Sequence, residues 1–522
     1  MSEADLLIRH ALVVDGTGAP PREADVAVVG DRIAAVGPGL SVRAAETLDG
    51  RGLALTPGFV DVHTHFDGQA TWDARLWPCS VHGVTTAVMG NCGVGFAPCR
   101  PADRERLIEL MEGVEDIPSA ALTEGLRWDW ESFDGYLGAL EGRARDIDIA
   151  ALLPHGPLRV HAMGERAARR EAATDADLAQ MQATARAALA AGAMGFSTSR
   201  TIAHRSARGE HVPMYQAADR ELVAIGSALA GQRDAVFQLI SDFDDLDAEF
   251  DLIESVCRAG GCAGTLTVAQ VHQRPGQHER LLERIARANA GGLRITGQVI
   301  GRPIGVMLGF DVTINPFRHR PAFKAIEHLP RDEKLARLAD PALRATILSQ
   351  ADESPPFFIR NFGQRWDRQY PLLGEPRYLP GADESVAAHA ARAGQAPDAW
   401  VYDFLLGDDG RALLYVPLAN FADGNGDAIE AMLRHPHTVP ALGDGGAHVS
   451  TICDGSATTF LLTEWVRSRR AFSLEAAVQM LTQRPAQLYG LHDRGRIAPG
   501  LRADLNLIDL DALAIEPPRI VR

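Results

Sequence analysis

Apolar and polar residues alternate along the first 55 residues of the chain, in short runs that end at glycine. This pattern is typical of half-buried β-strands joined by tight turns. The segment RGRIAPGLRADLNLIDLDAL, close to the other end, repeats the pattern around a Pro-Gly turn. We therefore predict a small β-domain assembled from both termini, with residues 1–56 and 485–522 as its two parts.

Between these parts, short apolar runs alternate with helical stretches rich in Ala, Arg and Glu. Strands that alternate with helices form parallel sheets through right-handed crossovers. Eight units of this kind predict an α/β fold, a (β/α)8 barrel over residues 57–484, with functional groups at the carboxyl ends of its strands. The eight predicted strands lie in GFVDVHTH, VTTAVMGN, IAALLPHG, AMGFSTS, AVFQLIS, GTLTVAQ, LRITGQVI and TVPALGDGG.

The interval between the seventh and eighth predicted strands is too long for one strand-helix unit. It includes SPPFFIRNFGQRWDRQYPLLGEPRYLPG, which is rich in aromatic residues, Pro and Arg. We predict an insertion of helices and loops at about residues 305–436. Long insertions near the top of a barrel often form lids.

Composition narrows the kinds of partner. The 522 residues are 46% hydrophobic and 23% charged, which is typical of globular proteins. A net charge of -16 argues against nucleic acid or an anionic membrane as a partner. The sequence MSEADLLIRHALVVDG lacks the pattern of a signal peptide, and no apolar run approaches the ~18 residues of a spanning helix. We expect a cytoplasmic protein that acts on a small molecule.

Two histidines, His63 and His65, follow the first predicted barrel strand in TPGFVDVHTHFDG. Side chains two positions apart point to the same face of a strand. Two imidazoles at the end of a buried strand can therefore reach one metal ion, and Asp61 and Asp67 lie close by. The pattern predicts a metal site, with two hydrogen-bonded structural histidines as the alternative.

Cys92 lies in the glycine-rich run VMGNCGVGFAPC, where the second strand would leave the barrel. A thiolate at this position can bind zinc, and a buried structural thiol is the alternative. Asp444 lies in LGDGGAHVSTICDGSA at the eighth strand. A carboxylate there can take a proton from water and return it to a leaving group, although a turn cap would need the same residue type. His448, four residues on, fits either a direct or a supporting role.

Four segments resemble the amidohydrolase superfamily, and in particular its N-acyl-D-amino-acid deacylase (D-aminoacylase) family. They are TPGFVDVHTHFDGQ, GVTTAVMGNCGVGFAP, LGDGGAHV and LTQRPAQLYGLHDRGRIAPGLRADLNLID. The likeness extends over nearly the whole chain. It implies a distorted (β/α)8 barrel with a small β-sandwich domain formed by both termini, which agrees with the pattern of strands and helices.

The resemblance also implies roles for individual residues. His63 and His65 match the family's metal-binding pair, and Cys92 matches its cysteine zinc ligand. Asp444 matches an aspartate that is both metal ligand and general base.

Substrates of this family carry a carboxylate, so the resemblance implies that a cation lies near the site. The segment PHGPLRVHAMG resembles a family segment close to the substrate, and other cationic residues qualify by their position along the chain. The candidate substrate-binding residues are His155, Arg159, Arg200, His272, Arg302 and His448.

The fifth and sixth predicted strands depart from the family pattern, which places a metal-binding histidine after each. The fifth offers Gln238, Ser241 and Asp242, and the sixth offers Gln270 and then His272. Neutral amide and hydroxyl oxygens are poor zinc ligands beside imidazole or thiolate. We therefore expect one tightly bound Zn²⁺, with a second ion left open.

Together these features predict metal-dependent hydrolysis of a linear amide. The most specific form is deacylation of an N-acyl-D-amino acid to a carboxylate and a D-amino acid. Two alternatives stay open: a cyclic amidohydrolase or deaminase on the same scaffold, and a barrel that binds a ligand without catalysis. The expected partner is a small molecule with a carboxylate, and a homo-oligomer is left open.

Overall fold

The computed structural model describes residues 3–354, 357–449, 451–452 and 454–520. Residues 1–2 and 521–522 of the predicted β-domain lie outside the described part. Within that part, no helix combines the length and the apolar character needed to cross a lipid bilayer.

Strands from the two ends of the chain form one six-stranded sheet. Its long strand β1 pairs antiparallel with β2 and parallel with β4 and β5, and the late strand β18 pairs antiparallel with β5. The core-facing side chains of β1 alternate with exposed ones, as the sequence pattern predicts. The strands are β1 Glu3–Val13, β2 Arg22–Val29, β3 Arg32–Gly37, β4 Arg43–Asp49, β5 Ala54–Pro57 and β18 Leu505–Ile508.

The barrel strands form two arcs of parallel pairs, β6–β7–β8 and β9–β10–β11–β12–β13–β17. Each predicted barrel run contains a strand, and the third run contains both β8 and β9, separated by Leu152. The strands are β6 Phe59–Asp61, β7 Val84–Met89, β8 Asp148–Ala151, β9 Leu153–Pro154, β10 Gly195–Arg200, β11 Val236–Ser241, β12 Ala263–Thr267, β13 Ile295–Val299 and β17 Thr438–Pro440.

Amphipathic helices cover the barrel. In α8, Phe250, Ile253, Val256 and Cys257 are buried at the three- and four-residue spacing of one helix face, and Asp245 caps its first turn. The helices outside the insertion are α1 Arg104–Glu115, α2 Ser119–Gly125, α3 Phe133–Glu141, α4 His155–Met163, α5 Glu165–Ala168, α6 Asp175–Ala191, α7 Asp219–Ser227, α8 Leu246–Gly260, α9 Gln277–Ala290, α17 Asp427–Arg434, α18 Ala457–Phe460, α19 Leu474–Leu481 and α20 Gln483–Leu488. A π-helical segment, Leu461–Ser468, continues α18.

The segment between β13 and α17 forms a separate layer with its own apolar core. Three antiparallel strands, in the order β14-β16-β15, form its sheet. Its strands are β14 Ile304–Leu308, β15 Tyr370–Pro371 and β16 Leu414–Ala419. Its helices are α10 Pro321–Lys324, α11 Arg331–Leu338, α12 Pro341–Ser349, α13 Phe357–Phe362, α14 Val386–Ala393, α15 Pro397–Leu405 and α16 Gly407–Gly410.

Arg494 joins the terminal sheet to the amino end of the barrel. Its Nη1 donates hydrogen bonds to Thr86 Oγ1 on β7 at 2.9 Å and to Asp148 Oδ2 on β8 at 2.8 Å. The same nitrogen lies 3.6 Å from a carboxylate oxygen of Asp504, next to β18. The Arg494 side chain is largely buried, whereas that of Asp148 is 43% exposed and also pairs with Arg502 at 3.0 Å.

We expect Arg494→Met to lower the free energy of unfolding by about 1–2 kcal/mol, because it removes the hydrogen bonds to Thr86 and Asp148, while Arg502 still pairs with Asp148 at 3.0 Å. Urea denaturation followed by circular dichroism measures the loss. The control is Arg51→Met, since Arg51 and its partner Asp49 are exposed and such pairs contribute little. Equal stability of the two variants would contradict a linking role for Arg494.

Candidate metal centre

The chain after β6 brings two histidine side chains to the carboxyl end of the barrel. His63 N–H donates to Asp61 Oδ1 at 3.0 Å, and His65 N–H donates to the carbonyl oxygen of Gly445 at 2.8 Å. Thr64, between them, turns its hydroxyl to the carbonyl of Val88 instead. The two imidazole rings lie 5.4 Å apart, so the alternation expected from a strand places both at one site.

Cys92 follows β7 in a left-handed backbone conformation with φ of 56°. Its N–H donates to Gln238 Oε1 at 2.9 Å, which fixes the loop against β11. The Cys92 Sγ lies 3.2 Å from His63 Nε2. The thiol is therefore directed at the histidine pair and not into the apolar core.

Asp444 approaches the same histidines from the loop after β17. Its Oδ1 lies 3.6 Å from His63 Nε2 and 3.8 Å from His65 Nε2, and this buried oxygen accepts no hydrogen bond. The next residue must be glycine, because a Cβ on Gly445 would lie 2.4 Å from Cys79 Sγ and 2.7 Å from the Phe66 ring. The tight contact holds Asp444 over the histidines.

The donor atoms suit a transition-metal ion. The ligand atoms of His63, His65 and Cys92 all lie within 4.8 Å of one another, and these three side chains are buried. Ligand atoms around zinc at ~2.0–2.3 Å are separated by roughly 3.3–3.8 Å, which matches the contacts of Cys92 and Asp444 with His63. Two imidazoles, a thiolate and a carboxylate are ligands that zinc accepts.

The pKa values of the buried groups also favour a bound cation at this site. Burial lowers the pKa of His63 and, more strongly, that of His65, so both imidazoles are neutral and keep a lone pair for a metal. Burial raises the pKa of Asp61 and that of Asp67 to about 7, and it raises the pKa of Glu115 well above its usual range. A bound cation would offset this cost by stabilising the carboxylates.

Glu115, at the end of α1, belongs to the site although the sequence analysis did not select it. Its carboxylate lies 3.4 Å from His65 Nδ1 and 3.5 Å from His448 Nε2. His448 in turn lies 4.0 Å from Asp444 Oδ2. Glu115 thus lies between His65 and His448, within ion-pair distance of both imidazoles. The sequence EGVED does not indicate a role for Glu115, because a single acidic residue at a helix end usually faces solvent.

His204 is a second residue that the sequence analysis did not select. Burial, together with the electrostatic effect of His448 and His63, lowers the pKa of His204 to about 3. Its Nδ1 shares a hydrogen bond with Ser199 Oγ at 2.9 Å. His204 lies in a loop after β10, where no strand or helix period could indicate its direction.

Glutamine and threonine occupy the positions on the barrel strands that face the site. Gln238 on β11 pairs in register with Thr265 on β12, and Gln298 on β13 pairs with Thr267. The Gln298 Oε1 lies 2.6 Å from His63 Nδ1. Both glutamines therefore support Cys92 or His63 through hydrogen bonds.

His155 and Arg159 lie together in the interior. His155 contacts Thr198 Oγ1 at 2.8 Å and Glu221 Oε1 at 2.9 Å through its two ring nitrogens. Arg159 donates to Glu221 at 2.7 Å and to two backbone carbonyls. Both side chains are therefore hydrogen-bonded to protein groups on β10, on α7 and in the loop between them.

The other candidate cations also have protein partners. Arg200 donates to the carbonyl of Ala217 at 2.9 Å. His272 contacts the insertion, with Nε2 3.2 Å from the carbonyl of Pro417 and Nδ1 3.0 Å from Arg368. The structure therefore does not bring His272 to the metal-binding residues.

Arg302 is fully buried beside the site. Its Nη2 lies 2.9 Å from Asp454 Oδ1, its Nη1 donates to Ser456 Oγ at 2.9 Å, and its guanidinium stacks 3.5 Å from the centre of the Tyr378 ring. The Arg302 charge is therefore balanced by Asp454.

Comparisons with known proteins identify the family to which the chain belongs. Residues 46–522 match the model of the amidohydrolase family. The chain is 28% identical to an N-acyl-D-aspartate deacylase of Alcaligenes xylosoxydans xylosoxydans over 509 residues, which cover 97% of this chain and 86% of the relative.

Two solved structures share the fold. An N-acyl-D-glutamate deacylase of Bordetella bronchiseptica, in complex with zinc and a phosphonate mimic of the tetrahedral intermediate, superposes with a TM-score of 0.63 at 25% identity, covering 98% of this chain and 91% of that one. A D-aminoacylase with a binuclear metal centre superposes with a TM-score of 0.63 at 23% identity, covering 97% and 90%. These similarities confirm the predicted barrel fold.

We expect His63→Ala to remove the bound metal while the barrel stays folded, because the change deletes a ligand at the edge of the core. Elemental analysis of the purified variant, with circular dichroism as the test of folding, measures this. The matched control is His492→Ala, since His492 is exposed and its contact is with Asp234, outside the metal centre. Full metal content in a folded His63→Ala protein would rule out the site.

Proposed function

The chain belongs to the amidohydrolase family, and we propose that it is a metal-dependent hydrolase that removes the acyl group from an N-acyl-D-amino acid. The observation that carries the proposal is Asp444 Oδ1, buried without a hydrogen-bond donor and facing His63 and His65. Deacylase activity on N-acyl-D-amino acids in two similar proteins supports the choice of a linear amide.

His63, His65, Cys92 and Asp444 would hold the metal. When bound, zinc would acidify a water molecule and polarise an acyl oxygen. His63 is set for this role, because its Nδ1–H donates a hydrogen bond to Gln298 Oε1 and its Nε2 lone pair faces Cys92 Sγ at 3.2 Å. The Glu115 carboxylate lies 3.4 Å from His65 Nδ1 without a hydrogen bond between them, and its charge favours a proton on that nitrogen.

Asp444 is placed to move the proton. Its Oδ1 faces the two histidines, while its Oδ2 points towards His448 and a cavity. A carboxylate in this position can accept the proton of the attacking water and pass it to the departing amide nitrogen. The product nitrogen then leaves as an amine, which cannot easily recombine with the carboxylate product.

We expect Asp444→Asn to lower kcat by ~10²–10⁴-fold with a much smaller change in KM, because the amide cannot accept a proton. The assay follows release of free amine from N-acetyl-D-amino acids, and metal content is measured on the same sample. Asp134→Asn, at an exposed position at the start of α3, is the control. A rate within a few-fold of wild type would exclude Asp444 as the base.

The same assay separates the proposal from other reactions of the family. Hydrolysis of N-acetyl-D-amino acids in preference to their L-enantiomers supports it. Hydrolysis of a cyclic amide, such as a hydantoin, without any N-acyl amino acid activity would instead make the chain a cyclic amidohydrolase.

We also propose that the chain holds one tightly bound ion. The strands that would supply further ligands offer Gln238, whose Oε1 accepts the Cys92 N–H, and Thr265. His272, the remaining candidate, contacts Pro417 and Arg368 instead. Neutral oxygens alone make a weak zinc site.

We expect elemental analysis after gel filtration in metal-free buffer to give about one ion per chain, since among the described residues a single group of His and Cys ligand atoms, those of His63, His65 and Cys92, lies within 4.8 Å. Titration with added zinc should then reveal no second tight site. A ratio near two, reduced to one by Cys92→Ala or His272→Ala, would show a binuclear centre instead.

A further inference from the structure

A cavity of about 640 Å³ lies beside the metal centre. Three distant parts of the chain form most of its walls: residues 77–82, which precede β7, residues 443–449, 452 and 454–456, which follow β17, and residues 514–518 near the carboxyl end. Gln69 and Tyr378 also line it. The inference drawn from this cavity rests on the proposed deacylase function and specifies its substrate.

Exposure shows that the metal centre opens into this cavity. The side chains of His63, His65 and Glu115 are at most 3% exposed, whereas those of Asp444 and His448 are 20% and 19% exposed. Asp444 and His448 both line the cavity. A substrate whose scissile amide bond approaches Asp444 from this side therefore leaves one of the two groups that flank the bond in the cavity.

The cavity wall is largely apolar, and the Asp454 and Glu516 carboxylates in it are paired with Arg302 and Arg519. Trp77, Val81 and Val449 line it and are 55%, 59% and 66% exposed, so their burial against a ligand would be favourable. Its charged side chains include Asp454 and Glu516. Among the described residues that line it there is no Lys or Arg.

The buried cation nearest to the cavity, Arg302, is already paired with a carboxylate. Arg302 lies behind the wall and forms its ion pair with Asp454 at 2.9 Å, with Tyr378 stacked on its face. A substrate carboxylate in the cavity would have to displace Asp454 from Arg302 or remain without a Lys or Arg partner among the described lining residues, and both are costly.

Arg467 contacts the backbone of the segment near the carboxyl end, whose residues Leu513 and Ile515 also pack against the core. Arg467, in the π-helical segment, donates through Nη1 to the carbonyls of Leu510, Asp511 and Leu513 at 2.9, 3.2 and 2.7 Å. Ile515 follows directly and lines the cavity. Arg467 is thus a positioning residue for this wall.

We propose that this cavity binds an apolar group of the substrate, against a wall that Arg467 positions, and that it discriminates against N-acyl derivatives of acidic amino acids. The apolar group is either the amino-acid side chain or the acyl chain, since both flank the scissile bond. The proposed preference is opposite to that named for the D-aspartate and D-glutamate deacylases that resemble this chain.

The first experiment compares kcat/KM for four substrates of the zinc-loaded enzyme: N-acetyl-D-leucine, N-acetyl-D-glutamate, N-octanoylglycine and N-acetylglycine. We expect at least about a tenfold preference for one or both apolar compounds over N-acetylglycine, and no gain for the glutamate compound. A gain with leucine alone assigns the cavity to the side chain, and a gain with the octanoyl compound alone assigns it to the acyl chain.

The outcomes separate this inference from the proposed function. Preference for N-acetyl-D-glutamate would overturn the inference and leave deacylation intact. Activity on none of the four substrates by a metal-loaded enzyme would overturn the deacylase proposal itself.

Variants of the wall provide an independent test. Val81→Lys should lower kcat/KM for the preferred apolar substrate about tenfold and raise it for N-acetyl-D-glutamate. Val29→Lys is the matched control, because Val29 is 47% exposed on β2 of the terminal sheet and should change neither value. Equal behaviour of the two variants would overturn the inference.

Arg467→Met tests the positioning role. We expect KM for the preferred apolar substrate to rise several-fold, with kcat and the KM for N-acetylglycine unchanged and with partial rescue in Arg467→Lys. A uniform loss of kcat for all substrates would indicate a general structural effect, and unchanged kinetics would remove Arg467 from the cavity wall.

Discussion

The cost of burying ionisable groups without a counter-charge is the constraint around which the mouth of the barrel is organised. Asp61, Asp67 and Glu115 all lie in the interior, and burial raises the pKa of each. The neighbouring histidines are held neutral by the same burial and cannot balance them. The metal ion that we propose for His63 and His65 would supply the missing positive charge and would couple metal binding to the folding of these loops.

Close packing of the backbone fixes the position of Asp444 relative to His63 and His65. The hydrogen bond from His65 N–H to the carbonyl of Gly445 joins the loops after the first and last barrel strands. Gly445 and Gly446 allow this approach, because a Cβ on either would overlap Phe66. Asp444 is therefore placed over the histidines by the backbone, and the unpaired lone pairs of its Oδ1 remain available for a metal.

The parts of the site that follow a strand period are predictable from the sequence. His63 and His65 share a face because strand side chains alternate, and Asp444 follows the last strand at the same end of the barrel. Glu115 and His204 are not predictable in this way, since a helix end and a long loop bring them in. The position of His272 depends on the insertion that it contacts, and no local pattern encodes that packing.

The glutamines of the barrel strands orient candidate metal ligands through hydrogen bonds. Gln298 Oε1 accepts from His63 Nδ1, and Gln238 Oε1 accepts from the N–H of Cys92. Each amide oxygen is used to orient a ligand, and the remaining Nε2 of each glutamine is a donor that repels a cation. A second metal ion would have to displace both hydrogen bonds and face these donors. The glutamine amides on these strands therefore support the proposal of a single tightly bound ion.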